Sequence, residues 1–232
     1  MTVIDEQKQA AGAAAAREIR DGMTVGLGTG STAAHFVRSL ALRARDEALV
    51  LRCVATSVAT AELASGLGLS VVPLDQVDAI DITVDGADEI GPGLSLIKGG
   101  GAALLREKLV WESSRRCIVI ADAAKVVPIL GAFPLPIEVV AFGHAATARR
   151  IAAAARQAGV VAEPSLRTRD GGPVQTDSGQ LIYDLACGSL PEPQRLARAL
   201  KLVTGVIDHG LFLGLAHEAL IGGADGIVRL AR

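Results

Sequence analysis

Ile80-Asp81-Ile82-Thr83-Val84 runs directly into Asp85-Gly86-Ala87-Asp88-Glu89, a strand pattern followed at once by an acidic turn. Isoleucine, threonine and valine are typical of strands, so residues 80–84 are predicted to form one, although the pattern leaves the face of Asp81 open. The carboxylates then follow the carboxyl end of a strand, which is where ligands bind in open α/β sheets. Asp85 and Asp88 are also common turn formers that bond to local backbone, and both interpretations stay open at this point.

A second cluster, Lys98-Gly99-Gly100-Gly101, precedes a helix predicted at residues 102–113. A run of glycines is costly in backbone entropy, so a mere connection is less plausible here than a functional segment. The ammonium group of Lys98 can hold negative charge that develops on an oxygen, and the glycine N–H groups can add hydrogen bonds to it. Lys125, which follows another predicted strand, is interpreted either as an anion ligand or as an ordinary charged loop residue.

Glu107 lies on the predicted helix among apolar neighbours. The residues three and four positions away, which share its helix face, are Ala103, Leu104, Val110 and Trp111. No basic side chain is placed to form a surface ion pair with it, whereas Arg106 and Lys108 are expected to point into solvent. Desolvation raises the pKa of a carboxyl group toward the range that a general base near neutral pH requires. Together with Asp85 and Lys98, Glu107 indicates proton-transfer chemistry on a small polar substrate.

A glycine-rich segment, Gly26-Leu27-Gly28-Thr29-Gly30-Ser31-Thr32, follows one predicted strand and opens a helix. The N–H groups of a first helical turn attract phosphate or carboxylate, and Ser31 and Thr32 either cap the helix or donate hydroxyls to such an anion. The dinucleotide-binding fingerprint is not met, because Ser31 stands where its third glycine is expected, and no Gly-Lys-Ser/Thr P-loop occurs. An ordinary capped turn remains the alternative to an anion site.

The composition excludes several classes of function. With 23 basic and 25 acidic residues the net charge is −2, so the basic surplus that nucleic-acid binding requires is missing. No apolar run approaches the about 18 residues of a membrane span, and the first residues lack a signal-peptide pattern. We therefore expect a cytoplasmic protein without nucleic-acid or membrane partners. Cys53, Cys117 and Cys187 are expected to be reduced, buried thiols, and no metal or other cofactor is predicted.

Apolar strands alternate with amphipathic helices, which indicates an α/β fold with a mostly parallel sheet and helices on both faces. The predicted helices are 8–20, 31–43, 59–67, 102–113, 147–158 and 192–202. The predicted strands are 24–27, 50–55, 70–74, 80–84, 117–121, 211–213, 219–221 and 227–230, with a hairpin at 174–185.

The pattern changes after Lys125, and residues 131–136 are expected to form a hinge. We predict a main domain at 1–130 and 205–232, and a smaller inserted α+β domain at 131–204. The strands after residue 210 are expected to rejoin the main sheet.

Several segments, in order along the chain, resemble the signatures of one family, the type A ribose-5-phosphate isomerases. They are Gly26–Thr32, Val84–Glu89, Lys98–Ala103 with Arg106–Lys108, Ala121–Lys125 and Phe133–Val139. The resemblance covers nearly the whole chain and is least clear between residues 155 and 204. Because several long motifs occur in order, it is far more specific than any one of them.

The resemblance implies interconversion of ribose 5-phosphate and ribulose 5-phosphate, in the non-oxidative pentose phosphate pathway, without a metal. Glu107 would be the base that moves a proton between carbons 1 and 2 through an enediolate, and Lys98 with the following glycines would stabilise that intermediate. Asp85 would assist ring opening and proton movement at the oxygens, with Asp88 fixing sugar hydroxyls. The residues implied to bind the substrate are Lys8, Thr29, Gly30, Ser31, Thr32, Asp85, Gly86, Ala87, Asp88, Lys98, Gly99, Gly100, Gly101 and Lys125.

The resemblance also implies a Rossmann-like main domain, a ferredoxin-like second domain, and assembly as a homodimer or homotetramer. Two other functions stay open. One is a sugar-phosphate-sensing effector domain, which would be expected to carry a helix-turn-helix, for which the residues before Thr24 leave no room. The other is an acyl-CoA transferase-like enzyme, in which a glutamate acts as a nucleophile.

Overall fold

Short apolar strands and amphipathic helices alternate along the chain. The structure, a computed structural model, describes residues 2–232. Its helices are α1 (Val3–Ala16), α2 (Ser31–Asp46), α3 (Val58–Gly66), α4 (Leu104–Glu112), α5 (His144–Gln157) and α6 (Pro193–Lys201). Its strands are β1 (Thr24–Leu27), β2 (Arg52–Ala55), β3 (Ile82–Asp85), β4 (Glu89–Ile90), β5 (Leu96–Ile97), β6 (Cys117–Asp122), β7 (Leu135–Val139), β8 (Pro164–Leu166), β9 (Thr168–Arg169), β10 (Gly172–Pro173), β11 (Leu181–Leu185), β12 (Val206–His209), β13 (Leu211–Phe212), β14 (Glu218–Gly223) and β15 (Gly226–Ala231).

The chain divides into two compact units. The first comprises the described part of Met1–Ala87 together with Arg106–Val126 and Gly214–Arg232. The second comprises Asp88–Leu105 and Val127–Leu213. These limits differ from the predicted domains mainly because residues 88–105 belong to the second unit, and the predicted domain limits themselves stay a prediction.

The first unit contains a six-stranded sheet in the order β15-β14-β6-β3-β1-β2. Neighbouring strands are parallel except at one edge, where β15 runs antiparallel to β14. Consecutive residues of β2 enter different apolar clusters: Cys53 joins Phe36 and Leu40 of α2, whereas Val54 joins Val110 of α4. Helices therefore cover both faces of the sheet, and the predicted α/β fold is confirmed.

The second unit is built on an antiparallel sheet in the order β12-β7-β11-β8. Its main elements follow one another as β7-α5-β8-β11-α6-β12, with the short ribbon β9-β10 between β8 and β11, which is the split βαβ order of ferredoxin-like folds. Ile151 of α5 and Leu196 of α6 share an apolar core with Ile137 of β7. A small antiparallel sheet of β4, β5 and β13 belongs to the same unit.

The first helix lies earlier than the predicted 8–20. Thr2 Oγ1 accepts a hydrogen bond from Asp5 N at 3.2 Å, and the Asp5 carboxylate accepts one from Thr2 N at 3.2 Å. This reciprocal capping box satisfies N–H groups of the first turn and begins the helix at Val3. Arg17 then caps the other end, so the helix stops at Ala16.

Residues 70–74 are not a strand, contrary to the prediction. Val71 makes only an isolated bridge to Cys53, and a turn of 3-10 helix begins at Leu74. Pro73 carries no N–H group to continue a ladder of backbone hydrogen bonds. The apolar run there pairs with the edge strand β2 at one residue only and forms no further strand.

Three further predictions in the second unit need correction. Leu211–Phe212 is a strand, but it pairs with β5 and does not rejoin the main sheet. Of the predicted hairpin at 174–185, only the second arm is a regular strand, because Gln175 makes a single bridge to Leu181. The expected hinge at 131–136 runs into β7, which begins at Leu135.

Two further expectations concern the burial of the three cysteines and the absence of a membrane-spanning helix. Cys53 and Cys117 are buried, whereas Cys187, which follows the end of β11, is only half-buried. Burial raises the pKa of each of these thiols to about 12. Among the helices within residues 2–232, none combines the length and the apolar character that a membrane crossing requires.

Leucine truncation on α2 tests the position of the core in the first unit. Leu40 has no exposed surface, whereas Leu42, on the same helix, is 53% exposed. We expect Leu40→Ala to lower the free energy of unfolding by about 2–5 kcal/mol because it leaves a cavity. The matched variant Leu42→Ala should change it by about 0.5 kcal/mol or less. Urea denaturation followed by circular dichroism measures both, and equal losses would contradict the assigned orientation of α2.

Candidate active site

The carboxyl ends of β1, β3 and β6 carry the polar residues of the first unit. These strands are adjacent and parallel, so their following segments emerge at the same edge of the sheet. Gly28 and Thr29 follow β1, Asp85 is the last residue of β3, and Asp122 is the last residue of β6. This edge is where the sequence predicts a ligand site.

Asp85 is fully buried and receives hydrogen bonds from three elements. Its Oδ1 accepts from the backbone N–H of Thr29 at 3.0 Å and of Gly86 at 2.7 Å. Its Oδ2 faces the indole N–H of Trp111 on α4 at 3.4 Å. The turn-former interpretation accounts for one of these hydrogen bonds, from Gly86. The donors at Thr29 and Trp111 are distant in sequence.

Gly28 is required by the position of Asp85. A Cβ atom at Gly28 would overlap the Asp85 carboxylate. The β1–α2 segment can thus approach β3 only with glycine at this position, which explains the second glycine of the Gly26–Thr32 segment.

Thr29 lies in a cluster of hydroxyl groups that the sequence analysis did not identify. Its Oγ1 is 2.7 Å from Oγ1 of Thr56, 2.8 Å from Oγ of Ser57 and 3.2 Å from Oγ1 of Thr60. Thr56 and Thr60 donate in turn to the backbone carbonyls of Leu27 and Gly28. The cluster fixes the Thr29 side chain, and its sequence signal was the polar Thr56-Ser57 pair directly after an apolar strand.

Glu107 occupies the first turn of α4 and is 3% exposed. Leu104, Val110 and Trp111, which share its helix face, are buried as well. The apolar neighbours that the sequence predicts on this helix face are thus buried together with Glu107, and Trp111, one turn further along, contacts Asp85. The expectation for Lys108 was wrong, because its side chain is buried, and Arg106 is half-buried.

The start of α2 and the turn after β6 hold the predicted anion ligands of the first unit. Lys8 Nζ donates to Ser31 Oγ at 3.1 Å, so α1 brings an ammonium group to the N-terminus of α2. Gly30 is the N-cap residue and provides no side chain, which leaves Ser31 and Thr32 in the first turn. Lys125 is half-buried in the 3-10 turn that Asp122 caps.

Asp88, Lys98 and the glycine run come together in the second unit. Asp88 Oδ2 accepts a hydrogen bond from Gly100 N at 2.8 Å. Asp88 N donates to Ile97 O and Lys98 N donates to Gly210 O, both at 2.8 Å. The β4–β5 hairpin therefore brings the acidic turn against the glycine run.

Lys98 is buried and lies over an aromatic ring. It is 2% exposed, and its Nζ is 5.4 Å from the ring centroid of Phe212 on β13. An ammonium over an aromatic face is attracted by the ring electrons. The next residue, Gly99, has φ +105°, where a Cβ would also approach Leu104 and Pro136. The sequence analysis did not predict Phe212 as a partner of Lys98, because the two residues are more than 100 positions apart and no local pattern connects them.

The predicted site residues thus form two sets. Within the first unit, Asp85 links Thr29 and Gly86 to Trp111, on the face of α4 that carries Glu107, and Lys8 contacts Ser31. Within the second unit, Asp88 and Lys98 surround Gly99, Gly100 and Gly101. The chain passes from one unit to the other at Ala87–Asp88 and again at Leu105–Arg106, inside both motifs. Among residues 2–232, no three His, Cys, Asp or Glu side chains are grouped so as to hold a metal ion.

Comparison with known proteins identifies the family. The sequence model of the ribose 5-phosphate isomerase A (phosphoriboisomerase A) family matches residues 52–226. The chain belongs to this family. Ribose-5-phosphate isomerase A of Caulobacter vibrioides strain NA1000 is 62% identical over 226 residues, which are 97% of this chain and 98% of that protein.

Solved structures of ribose-5-phosphate isomerases share the whole fold. The enzyme from Plasmodium falciparum matches with a TM-score of 0.94 at 34% identity, over 99% of each chain. A D-ribose-5-phosphate isomerase in complex with phospho-erythronic acid matches with a TM-score of 0.92 at 36% identity, over 100% of each chain. The resemblance stated from the sequence motifs is confirmed, and it extends through residues 155–204, where the motifs are least clear.

The close approach of Gly28 to Asp85 is testable through Trp111, the one tryptophan of this ribose 5-phosphate isomerase A family member. We expect Gly28→Ala to displace the Asp85 carboxylate and so change the emission of the Trp111 indole that contacts it. Gly66→Ala is the matched control, because a Cβ there meets no atom within 4 Å. Intrinsic fluorescence measures both, and identical spectra for wild type and Gly28→Ala would contradict the contact.

Proposed function

We propose that this chain interconverts D-ribose 5-phosphate and D-ribulose 5-phosphate as an aldose–ketose isomerase of the non-oxidative pentose phosphate pathway. The observation that carries the proposal is the buried carboxylate of Glu107 on α4, one turn before the tryptophan that binds Asp85. Membership of the ribose 5-phosphate isomerase A family supports the substrate pair.

Glu107 acts as the general base. Its carboxylate takes the proton from carbon 2 of the open-chain aldose. The C–H electron pair forms a double bond between carbons 1 and 2, and the π pair of the aldehyde moves to its oxygen, which becomes an oxyanion. Glu107 returns the proton to carbon 1, while the proton of the carbon-2 hydroxyl moves to the carbon-1 oxygen. Apolar surroundings keep the base poorly solvated and exclude water that would exchange with the transferred proton.

Lys98 and the glycine N–H groups stabilise the oxyanion of the enediolate. The Lys98 side chain is 2% exposed, and a cation held in such a water-poor region acts more strongly on developing negative charge than a solvated one. Asp85 assists ring opening and the movement of protons at the sugar oxygens. Its hydrogen bonds to Thr29 and Gly86 fix the carboxylate for that role.

The phosphate and the hydroxyl groups are held by the remaining residues. The first turn of α2 with Ser31 and Thr32 favours an anion, and Lys8 adds a positive charge there. Asp88 fixes sugar hydroxyls, and its bond to Gly100 limits the directions in which it can do so. The remaining substrate contacts that we assign are Thr29, Gly30, Gly86, Ala87, Gly99, Gly100, Gly101 and Lys125.

The two alternative functions have less support. A sensing domain gives no reason to bury a carboxylate on an apolar helix face. An acyl-CoA transferase would use such a glutamate as a nucleophile, whereas the matched proteins are named as isomerases.

The decisive experiment incubates the purified protein with ribose 5-phosphate and follows ketose formation. We expect turnover by the wild type and a fall in kcat of about 10²–10⁴-fold or more in Glu107→Gln, because the amide accepts no proton. Glu112→Gln is the matched control, since Glu112 is exposed at the end of the same helix. Circular dichroism checks that both variants fold. Wild-type kcat in Glu107→Gln would overturn the assignment of the base.

We propose that the reaction needs no metal ion. The donor groups described above are carboxylates, hydroxyls and amides without a metal-binding cluster among residues 2–232. Exhaustive treatment with EDTA should leave kcat unchanged. Loss of activity that an added divalent ion restores would disprove this proposal.

We further propose that copies of the chain associate as a homodimer or homotetramer in the cytoplasm. The resemblance to the family supports assembly. Size-exclusion chromatography with light scattering measures the oligomeric state, and a monomer at all concentrations would contradict it. Cell fractionation measures the location.

A further inference from the structure

Arg167 binds the carbonyl side of the glycine run. It follows β8, and its Nη1 donates to the backbone carbonyls of Gly99 at 2.8 Å and of Gly100 at 3.1 Å. Its Nε donates to Asp184 Oδ2 at 2.8 Å, and its Nη2 donates to Asp184 Oδ1. One guanidinium thus joins a carboxylate of β11 to two consecutive peptide groups, all within the second unit.

These contacts determine the direction of the N–H groups. In a trans peptide the C=O and the following N–H point to opposite sides. Because the carbonyls of Gly99 and Gly100 point to Arg167, the N–H groups of Gly100 and Gly101 point away from it. The first of them meets Asp88 Oδ2 at 2.8 Å. The second makes no backbone hydrogen bond within residues 2–232, and Gly101 is exposed, so this N–H group is accessible to a ligand.

The glycine run cannot keep this orientation by itself. Glycine has the widest choice of backbone conformations, and Gly99 has φ +105°. Ala102 N donates to the Gly99 carbonyl at 3.0 Å and closes a local turn. Arg167 adds a restraint on the carbonyls of both Gly99 and Gly100, as Asp88 does on the N–H of Gly100. The Arg167 and Asp184 side chains are only 13% and 22% exposed, so water competes weakly for these bonds. A cation on a carbonyl also polarises the peptide and strengthens its N–H as a donor.

We propose that Arg167, held by Asp184, is a positioning residue that orients the peptide groups of Gly99–Gly101 toward the oxyanion of the reaction. This inference rests on the proposed isomerase function. It also assigns the bond between Arg167 and Asp184 a purpose beyond joining β8 to β11, because the same guanidinium binds the two carbonyls of the run.

The test uses Arg167→Lys, which retains the charge but has no planar fork to bind two carbonyls and a carboxylate together. We expect kcat to fall by about tenfold or more while KM for ribose 5-phosphate changes by less than about threefold, since an oxyanion donor acts mainly in the transition state. Arg169→Lys is the matched control, because Arg169 is exposed on β9. If Arg167→Lys does not fold, Asp184→Asn weakens the same clamp and should show the same selective loss of kcat.

Binding of phospho-erythronic acid provides the second measurement. Its carboxylate places negatively charged oxygen on a planar carbon, and the enediolate likewise has negatively charged oxygen on planar carbon. We expect calorimetry to show about tenfold weaker binding of this acid to Arg167→Lys and unchanged binding of inorganic phosphate. A higher KM at unchanged kcat, or equal weakening of both ligands, would overturn the positioning role. An inactive wild type would instead refute the proposed function, so the two failures are distinguishable.

Discussion

A carboxylate removed from water is costly unless hydrogen-bond donors surround it, and the fully buried Asp85 imposes this condition on the first unit. Its donors come from the β1–α2 segment, from its own turn and from α4. Each element must approach closely, which explains why Gly28 lacks a side chain and why α4 presents a tryptophan. The same helix face carries Glu107. The hydrogen bond that Asp85 requires from Trp111 therefore also fixes the position of Glu107.

A comparable two-sided constraint acts on the glycine run. Asp88 takes its N–H side and Arg167 takes its carbonyl side. In the proposed reaction the N–H groups of the run face the oxyanion together with Lys98. Their directions depend on Asp88 and on Arg167, and Arg167 need not touch the substrate. This division explains how a segment without side chains can serve a specific purpose.

The sequence predicted most of what depends on local patterns. Strand β1 has the limits that the sequence predicts, because its short apolar segment lies between two glycine-containing turns. Glu107 was singled out because no basic residue one helical turn away could form an ion pair with it. Contacts between distant segments were beyond such reasoning. Phe212 meets Lys98, and Arg167 meets Gly99, only because β13 and β8 return to the glycine run. Pro73 and the Thr2–Asp5 capping box also show that a few polar or cyclic residues decide element limits that apolar periodicity alone misplaces.

The strand order has a consequence for protein synthesis. β6 is buried along its whole length between β3 and β14, yet β14 belongs to Gly214–Arg232, which is translated after residues 127–213 of the second unit. Until β14 is made, the edge of β6 that pairs with it is an exposed apolar strand edge. Such edges favour aggregation with other chains. Residues 127–213 of the second unit are translated between β6 and β14, so this edge of β6 stays without its partner strand while that segment is made.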